Sequence, residues 1–345
     1  FILLLTGQVS AGERYRFYRG ARSLGMGGVN TATVNDETAL LTNPAGLAKL
    51  RNFYGTLFDP EVHGSTKNYK IYSGTNLTSP TLEELAIRLD NNRGVHYHGK
   101  FQMFPSVVLR NFGLGVFYRD STDVEMNEAG TALNVNYWKD FAAVLGYSFR
   151  FFDGRMKFGF NIKYINRVEI VGDVDPNGPL TPKDLASEGT GIANDAGLIL
   201  TAPWDFLPTI AIAAHDIGST KFSNPGIFYG TTTRPNTVPQ DVDIALAIYP
   251  IHSSDVRAAW SAEYEGYLTK DTETDTTRRI HYGMELNFSD LFFFRVGMNQ
   301  RYWTCGLELA TERMQMMLTS YGEDIGDEGA PFEDRRVIGK FSFRF

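Results

Sequence analysis

The sequence predicts an all-β protein, a 14-stranded antiparallel transmembrane β-barrel with an N-terminal plug. Two observations predict this fold. Apolar and polar side chains alternate along most of the chain, and the alternating segments are joined by connections that are short and long in turn. No run among the 345 residues reaches the ~18 apolar residues that a membrane-spanning helix needs. We therefore expect the chain to cross a membrane as strands, in which successive side chains face opposite sides.

The first residues are interpreted as targeting sequence. An apolar run from Phe1 to Leu5 precedes a stretch of small residues at 9–11, which is typical of the end of a signal peptide. Residues 1–11 are therefore predicted to be a signal-peptide remnant, with the mature chain starting at Gly12. A buried first strand is the alternative.

Residues 12–51 are predicted to form the plug, because they are rich in glycine and do not alternate. Glycine permits close backbone approach and positive φ angles. Pro44 fixes its own φ and biases Asn43 towards an extended conformation, which predicts a turn with a polar anchor. The residues assigned to the plug are Gly25, Gly27, Gly28, Asn43, Pro44, Ala45 and Gly46.

Residues 52–345 are predicted to form the barrel. The predicted strands are 52–58, 99–109, 112–121, 137–150, 155–171, 190–202, 208–217, 241–250, 254–267, 279–288, 291–299, 302–310, 312–321 and 335–345. Alternation is clearest at 155–170, where Lys157, Lys163 and Arg167 share one face. A Lys or Arg facing lipid near the bilayer midplane costs ~2–4 kcal/mol, so this face must point inward. The predicted outward side chains are Met156, Phe158, Phe160, Ile162, Tyr164, Val168 and Ile170.

The connections between strands distinguish a barrel from a soluble β-sandwich, which also alternates. Short turns are predicted at 110–111, 151–154, 203–207, 251–253, 289–290 and 311, and most of the other connections, such as 59–98 and 218–240, are long. Segregation of short turns on one rim and long loops on the other is typical of outer-membrane barrels. With an even number of strands, both ends of the barrel lie on the short-turn rim.

Composition argues against several classes of function. The net charge of −7 argues against a nucleic-acid partner, because phosphate binding needs a basic surface. The single cysteine, Cys305, excludes an internal disulfide and a multi-cysteine metal site. Neither a serine–histidine motif nor a carboxylate pair in an apolar setting is present. We therefore predict a protein that is not an enzyme and that needs no cofactor or metal.

The N-terminal motifs resemble a known family. The stretch 20–28 (GARSLGMGG), then 35–39 (NDETA) and 42–48 (TNPAGLA), is similar to the signature of the FadL-like outer-membrane proteins. That superfamily includes long-chain fatty-acid channels, hydrocarbon channels and PorV/PorQ-type proteins. The C-terminal stretch 334–345 resembles the PorV/PorQ-type branch in particular.

This resemblance implies two alternative functions in the outer membrane of a Gram-negative-type cell. The first is passive uptake of a hydrophobic small molecule, such as a fatty acid, an aromatic compound or a hydrocarbon, with outer-membrane lipid around the barrel. The second is docking of a secreted or surface protein, in the manner of PorV/PorQ. The resemblance assigns the Asn43-Pro44-Ala45 element to the plug. The family's fatty-acid channels also have a lateral opening at a kinked strand; no residue of this sequence matches it, although Gly113 and Gly115 in the third strand are permissive.

One helix is predicted in the first long loop, within residues 79–90. Thr81 and Glu84 form a capping box. Leu82, Leu85 and Leu89 fall on one side of the helix with Ala86. These three leucines are the predicted substrate-binding residues, and a lid that buries its own apolar stripe on the barrel mouth is the alternative.

Overall fold

The computed structural model describes residues 15–51, 53–71, 80–269, 275–326 and 329–345, so the predicted signal-peptide remnant lies outside the described residues. The described residues form sixteen β segments in one antiparallel sheet. The first four segments make two interrupted strands, so the wall has fourteen strands. They are β1 (Tyr54–Phe58 and Glu61–Ser65), β2 (His96–Met103 and Ser106–Leu109), β3 (Phe112–Met126), β4 (Leu133–Phe151), β5 (Met156–Val174), β6 (Ser187–Thr201), β7 (Thr209–His215), β8 (Asp241–Ile248), β9 (Val256–Tyr264), β10 (Ile280–Phe288), β11 (Phe292–Asn299), β12 (Tyr302–Ala310), β13 (Met314–Asp324) and β14 (Glu333–Arg344).

The sheet closes into a barrel. Each strand pairs with the next along the chain, and β14 pairs with both halves of β1, for example through Lys340 opposite Glu61 and Arg344 opposite Thr56. Closure leaves no sheet edge exposed, as a membrane-spanning sheet requires. The predicted 14-stranded antiparallel barrel is confirmed. In the part of the chain that the structure describes, no helix is both long and apolar enough to cross a membrane.

Prolines interrupt the first two strands at neighbouring positions. Pro60 separates the halves of β1 and Pro105 separates the halves of β2, since proline has no N–H to donate to a ladder. The gap is bridged by a side chain, because Asp59 Oδ1 accepts a hydrogen bond of 2.6 Å from the Phe104 N–H. The predictions of a first strand ending at 58 and an unbroken strand at 99–109 were therefore wrong. We call this paired interruption the double kink.

The two faces of the wall follow the predicted alternation. On β5, Phe160 and Tyr164 are exposed on the outside, while Lys163 is buried inside the barrel. Further along the same strand, Val168 and Ile170 also point outward, yet they are buried. On β5 the outward face is therefore exposed near the short-turn rim and covered near the long-loop rim.

The helix α2 (Leu82–Asp90) provides part of this cover. Thr81 is its N-cap, accepting a 3.2 Å hydrogen bond from the Glu84 N–H, which is one of the two hydrogen bonds of the predicted capping box. Residue 79, the first of the predicted helical stretch, lies outside the described residues. The leucine stripe packs against outward side chains of the wall, among them Val124 and Val168. The helix thus lies on the outer face of the barrel and not across its mouth. The other α-helices are α1 (Ala21–Gly25) and α3 (Pro182–Leu185).

Residues 15–51 lie inside the barrel, and we call them the luminal segment. They contain α1 and two 3-10 turns, Glu37–Leu40 and Pro44–Lys49. Their arginines reach strands on different sides of the wall: Arg16 contacts Asp243 on β8 and Arg19 contacts Glu323 on β13. Because these contacts reach strands on different sides of the wall, the luminal segment lies within the ring of strands.

Candidate functional site

The contact between the luminal segment and the wall begins at the predicted plug glycines. Gly27 and Gly28 have φ angles of +72° and +96°, which side chains other than glycine rarely adopt. The Gly27 N–H donates to Thr304 Oγ1 at 2.9 Å, and the Gly27 carbonyl lies 2.8 Å from His281 Nδ1. A Cβ on Gly25 would lie 3.3 Å from the Gly306 Cα. The segment therefore contacts the wall here backbone to backbone.

Glycines of the wall make this approach possible, and sequence reasoning missed them. A Cβ on Gly283 of β10 would lie 2.1 Å from the Met26 carbonyl oxygen, and one on Gly297 of β11 would lie 2.5 Å from the Gly27 nitrogen. Real Cβ atoms do not approach other atoms this closely. A glycine inside a strand often marks the close approach of another backbone, and that signal was present in the sequence.

The predicted turn at Asn43 is the second point of contact. Asn43 is fully buried; its Oδ1 accepts from the Ala45 N–H at 3.1 Å and its Nδ2 donates to the Thr31 carbonyl at 2.9 Å. Pro44 starts the 3-10 turn. Two further wall glycines face this turn, Gly159 on β5 against Pro44 and Gly197 on β6 against the Asn43 side chain. Gly46 packs inside the segment, where a Cβ would lie 2.7 Å from Val34 Cγ1.

Half-buried ion pairs hold the same segment in register. Arg22 pairs with Asp36 at 2.7 Å and with Glu285 of β10 at 3.1 Å. Burial alone would raise the pKa of Asp36, but the Arg22 guanidinium and the Thr38 hydroxyl hold it well below its usual range. Arg22 therefore positions the luminal segment against the wall.

Lys49, near the end of the segment, is a half-buried cation, and the attraction of Asp36 offsets the effect of its burial only in part. Burial lowers the pKa of Lys49 to about 7, and repulsion from Lys157 and Arg22 acts in the same direction. Its Nζ donates to the Ala32 carbonyl at 2.5 Å. The amine thus changes its charge near neutral pH while it is packed beneath the luminal turns.

On the side of the double kink, the contact is apolar. Phe17, Leu40 and Leu47 of the luminal segment share one buried cluster with Phe104, Val108 and Phe117 of the wall, and we call these six residues the apolar seam. The Phe117 ring centroid lies 5.0 Å from that of Phe17 and 6.3 Å from that of Phe104. Phe104 directly precedes Pro105, so the seam lies immediately inside the interruption of the wall.

The third strand does not kink. β3 is continuous from Phe112 to Met126. Its glycines make room for the apolar seam instead, because a Cβ on Gly115 would lie 2.6 Å from the Phe104 ring and one on Gly113 would lie 2.9 Å from Leu40. The interruption of the wall lies in β1 and β2, where Pro60 and Pro105 were the overlooked signal.

A cavity of about 260 Å³ lies between the luminal segment and the inner faces of β8 and β9. Charged and polar side chains line much of it, including Arg16, Thr31, Asp243 and Glu263. Asp243 and Glu263 are bound by the luminal segment, through Arg16 and Thr31 respectively. This cavity is suited to water and differs in character from the apolar seam.

The predicted substrate-binding leucines lie apart from the luminal residues. Leu82, Leu85 and Leu89 are buried between α2 and the outer face of the wall, whereas the predicted plug residues lie inside the barrel. The structure therefore does not bring the two predicted groups together. A substrate would reach these leucines only after α2 shifted.

Comparison with solved structures identifies the class of fold. The CymD monoaromatic hydrocarbon channel is 10% identical with a TM-score of 0.54, covering 97% of this chain and 98% of that one. The P. putida toluene transporter TodX is 11% identical, with a TM-score of 0.53 and the same coverage. A TodX deltaS2S3 mutant monoaromatic hydrocarbon channel is 11% identical, with a TM-score of 0.57 over 94% and 98% of the two chains. No family model and no curated protein matches the sequence.

These likenesses extend over nearly the whole chain, and at such low identity they concern the fold. The chain has the FadL-like β-barrel fold, as the N-terminal motifs predicted. The neighbours described above are channels and a transporter, so the comparison does not favour the docking alternative.

Proposed function

We propose that this protein is a passive channel for hydrophobic small molecules, of the fatty-acid, aromatic or hydrocarbon class, in the outer membrane of a Gram-negative-type cell. It acts by transport and not by catalysis. The short-turn rim faces the periplasm and the long loops face outward. The fold shared with hydrocarbon channels supports the class, and one feature of this chain supports the type of substrate.

That feature is the apolar seam behind the double kink. Elsewhere the luminal segment meets the wall through ion pairs such as Arg22 with Glu285, through glycine backbone, and through two apolar clusters that contain no phenylalanine. An apolar molecule gains ~0.8 kcal/mol for each methylene that it removes from water, so it partitions into the seam without polar recognition. At the double kink, a single side-chain hydrogen bond from the Phe104 N–H to Asp59 spans the gap, which makes this the part of the wall that opens at least cost.

We further propose that residues 12–51 act as a plug against water and solutes, through the seven predicted residues Gly25, Gly27, Gly28, Asn43, Pro44, Ala45 and Gly46. The role of Leu82, Leu85 and Leu89 in substrate capture remains a prediction. It requires α2 to move off the outer face of the wall.

Uptake by cells that lack their own hydrophobic-molecule channels tests the proposal. Cells producing this chain should take up a labelled fatty acid or toluene faster than cells carrying the empty vector. Phe104→Ala removes the ring that fills the seam at the kink, so we expect it to raise the uptake rate severalfold. The matched control is Leu24→Ala, which removes an equally buried side chain between the luminal segment and the wall at β13 and β14.

The control should lose stability without a change in uptake. Both variants must be present in the membrane as folded, heat-modifiable barrels. Uptake equal to the empty vector by the folded wild-type chain, for both substrate types, would contradict the channel function. Equal effects of the two alanine variants would contradict only the route through the apolar seam.

A further inference from the structure

The outer face of the barrel carries a large groove on the side away from the double kink. It has a volume of about 1360 Å³ and crosses β6 to β11. Ordinary small-molecule pockets measure about 300–1,000 Å³, so this groove accommodates a larger occupant. We call it the outer groove. It lies on the lipid-facing side of the wall and shares no residue with the apolar seam.

The floor of the outer groove is one continuous row of outward side chains, each opposite the next across neighbouring strands. The row is Leu200, Ile210, Leu246, Ala262, Tyr282 and Met298. With strands about 4.8 Å apart, it is about 24 Å long. It starts at the short-turn end of β6 and finishes one residue before the far end of β11. The groove therefore runs across most of the height of the wall.

Ala262 is the low point of this row, because its methyl group lies between the larger Leu246 and Tyr282. Trp260, which is 49% exposed, stands beside it in the adjacent row. On the inner side of the next two strands, Gly283 of β10 and Gly297 of β11 bring the wall against the luminal backbone. The floor of the outer groove is thus lowest at Ala262, on β9.

At the short-turn rim the outer groove ends in groups suited to a membrane interface. Phe152 and Trp204 are exposed there, and aromatic side chains of this kind are enriched at the boundary between hydrocarbon and headgroups. Arg155 lines the same end, and its side chain is exposed. Among the described residues, no carboxylate forms an ion pair with its guanidinium. The groove is therefore apolar along its length and cationic at the headgroup level.

We propose that the outer groove binds an outer-membrane phospholipid, with acyl chains along the row centred on Ala262 and the phosphate at Arg155. The length of the row, its apolar floor and the position of the cation match a molecule with long apolar chains and an anionic head. The proposal depends on the chain being a membrane barrel but not on its uptake of substrate.

Native mass spectrometry of the full chain, extracted in mild detergent, tests this proposal. We expect the wild-type protein to keep one phospholipid after detergent exchange, and to regain it from vesicles of phosphatidylethanolamine and phosphatidylglycerol. Ala262→Trp fills the low point and should lower the bound fraction about tenfold, the change expected from losing roughly two buried methylenes. Arg155→Gln should weaken phospholipid binding about fivefold, the effect of one arginine at a membrane surface.

Two matched variants control for general changes of the surface. Leu145→Trp places the same ring on the outward face of β4, away from the groove, and Arg110→Gln removes an exposed arginine from another turn of the short-turn rim. Neither should alter lipid retention. Ala262→Leu repeats the filling with a smaller side chain, in case the tryptophan variant does not fold.

Three results would overturn the proposal. The first is that folded Ala262→Trp retains as much lipid as the control Leu145→Trp. If Ala262→Trp does not fold, the same comparison is made with Ala262→Leu. The second is a fall in substrate uptake by the groove variants with lipid retention unchanged, which would assign the groove to the transported molecule. The third is a second copy of the chain or another protein bound in place of lipid and released by Ala262→Trp. Failure of the wild-type chain to transport any substrate would leave this experiment unaffected.

Discussion

Adding one methyl group at Gly297 tests whether the luminal segment is held against the wall by backbone contact. The Cβ of Gly297→Ala would lie 2.5 Å from the Gly27 nitrogen and 2.5 Å from the Met26 carbonyl carbon. Both of these are backbone atoms, so no flexible side chain can move aside. Overpacking a well-filled interior costs about 1–3 kcal/mol. We expect the free energy of unfolding to fall by that amount, with the luminal segment displaced from β11.

Three measurements follow the effect. Urea titration read by migration on semi-native gels gives the stability of the barrel. Limited trypsin digestion reports exposure of the luminal segment, because Arg22 is shielded in the wild-type protein. Sensitivity of cells to a large hydrophilic antibiotic reports leakage past the displaced segment. We expect all three to change in the same direction.

Gly339→Ala is the matched control, because a Cβ at that position would meet no atom within 4 Å. Gly339 also lies within a strand, so the two substitutions change strand propensity alike. If Gly297→Ala were as stable, as resistant to trypsin and as impermeable as Gly339→Ala, the backbone contact would not exist and the assignment of residues 15–51 to the lumen would be refuted.

Two further predictions concern other parts of the molecule. Lys49→Met should stabilise the barrel near pH 7 and below. The measurement is the difference in urea midpoint between variant and wild type, and this difference should shrink as the pH rises towards 10. The unfolded lysine keeps its proton up to about pH 10.5 while the folded one releases it near pH 7, so wild-type stability rises with pH within this window. The second prediction concerns a triple variant of the leucine stripe of α2, with the substitutions Leu82→Ser, Leu85→Ser and Leu89→Ser. The barrel should stay folded and heat-modifiable, while α2 becomes sensitive to protease and substrate uptake falls.

Each of these has a control on an exposed side chain. Lys183→Met removes an exposed lysine from a loop, and a pH-independent difference for Lys49→Met, like that expected for Lys183→Met, would contradict the proposed titration. Ile87→Ser alters the exposed face of α2, where Ile87 is 69% exposed. Normal uptake by the triple serine variant, with α2 released, would remove the three leucines from the substrate-binding residues.

The sequence predicted the barrel well because lipid imposes a strict rule on each strand. Inward charges such as Lys163 and outward aromatics such as Phe160 reveal the two faces without knowledge of the partner strands. The position of the double kink was harder to predict, although Pro60 and Pro105 were visible. A proline interrupts a strand only where its missing N–H would have donated to a neighbouring strand. The pairing that brings Asp59 to the Phe104 N–H joins residues far apart in the chain, so it cannot be recognised from either segment alone.

The cover on the outer wall was not predictable from alternation. Val168 and Ile170 follow the outward pattern of Tyr164, and the sequence cannot mark where lipid ends and a covering helix begins, since both favour apolar side chains. The leucine stripe of α2 indicated that something would be buried, but not against which surface. Lipid and α2 both pack against apolar side chains, so neither the sequence of the strand nor that of the helix shows which of the two covers a given outward residue.

The two kinds of contact around the luminal segment differ in how they can open. On β5, β6, β10 and β11, wall glycines meet the backbone of the segment at Pro44, Asn43 and Met26, and such contacts separate only if the segment moves as a whole. On β2 and β3 the contact is made by side chains of the apolar seam, which can change rotamer individually. A small apolar molecule at the double kink therefore meets groups that can yield one at a time, while the rest of the segment stays anchored by Arg22 and the glycine contacts. For the proposed channel, this asymmetry provides a route for an apolar molecule that does not require release of the luminal segment, and therefore no leak for water and ions.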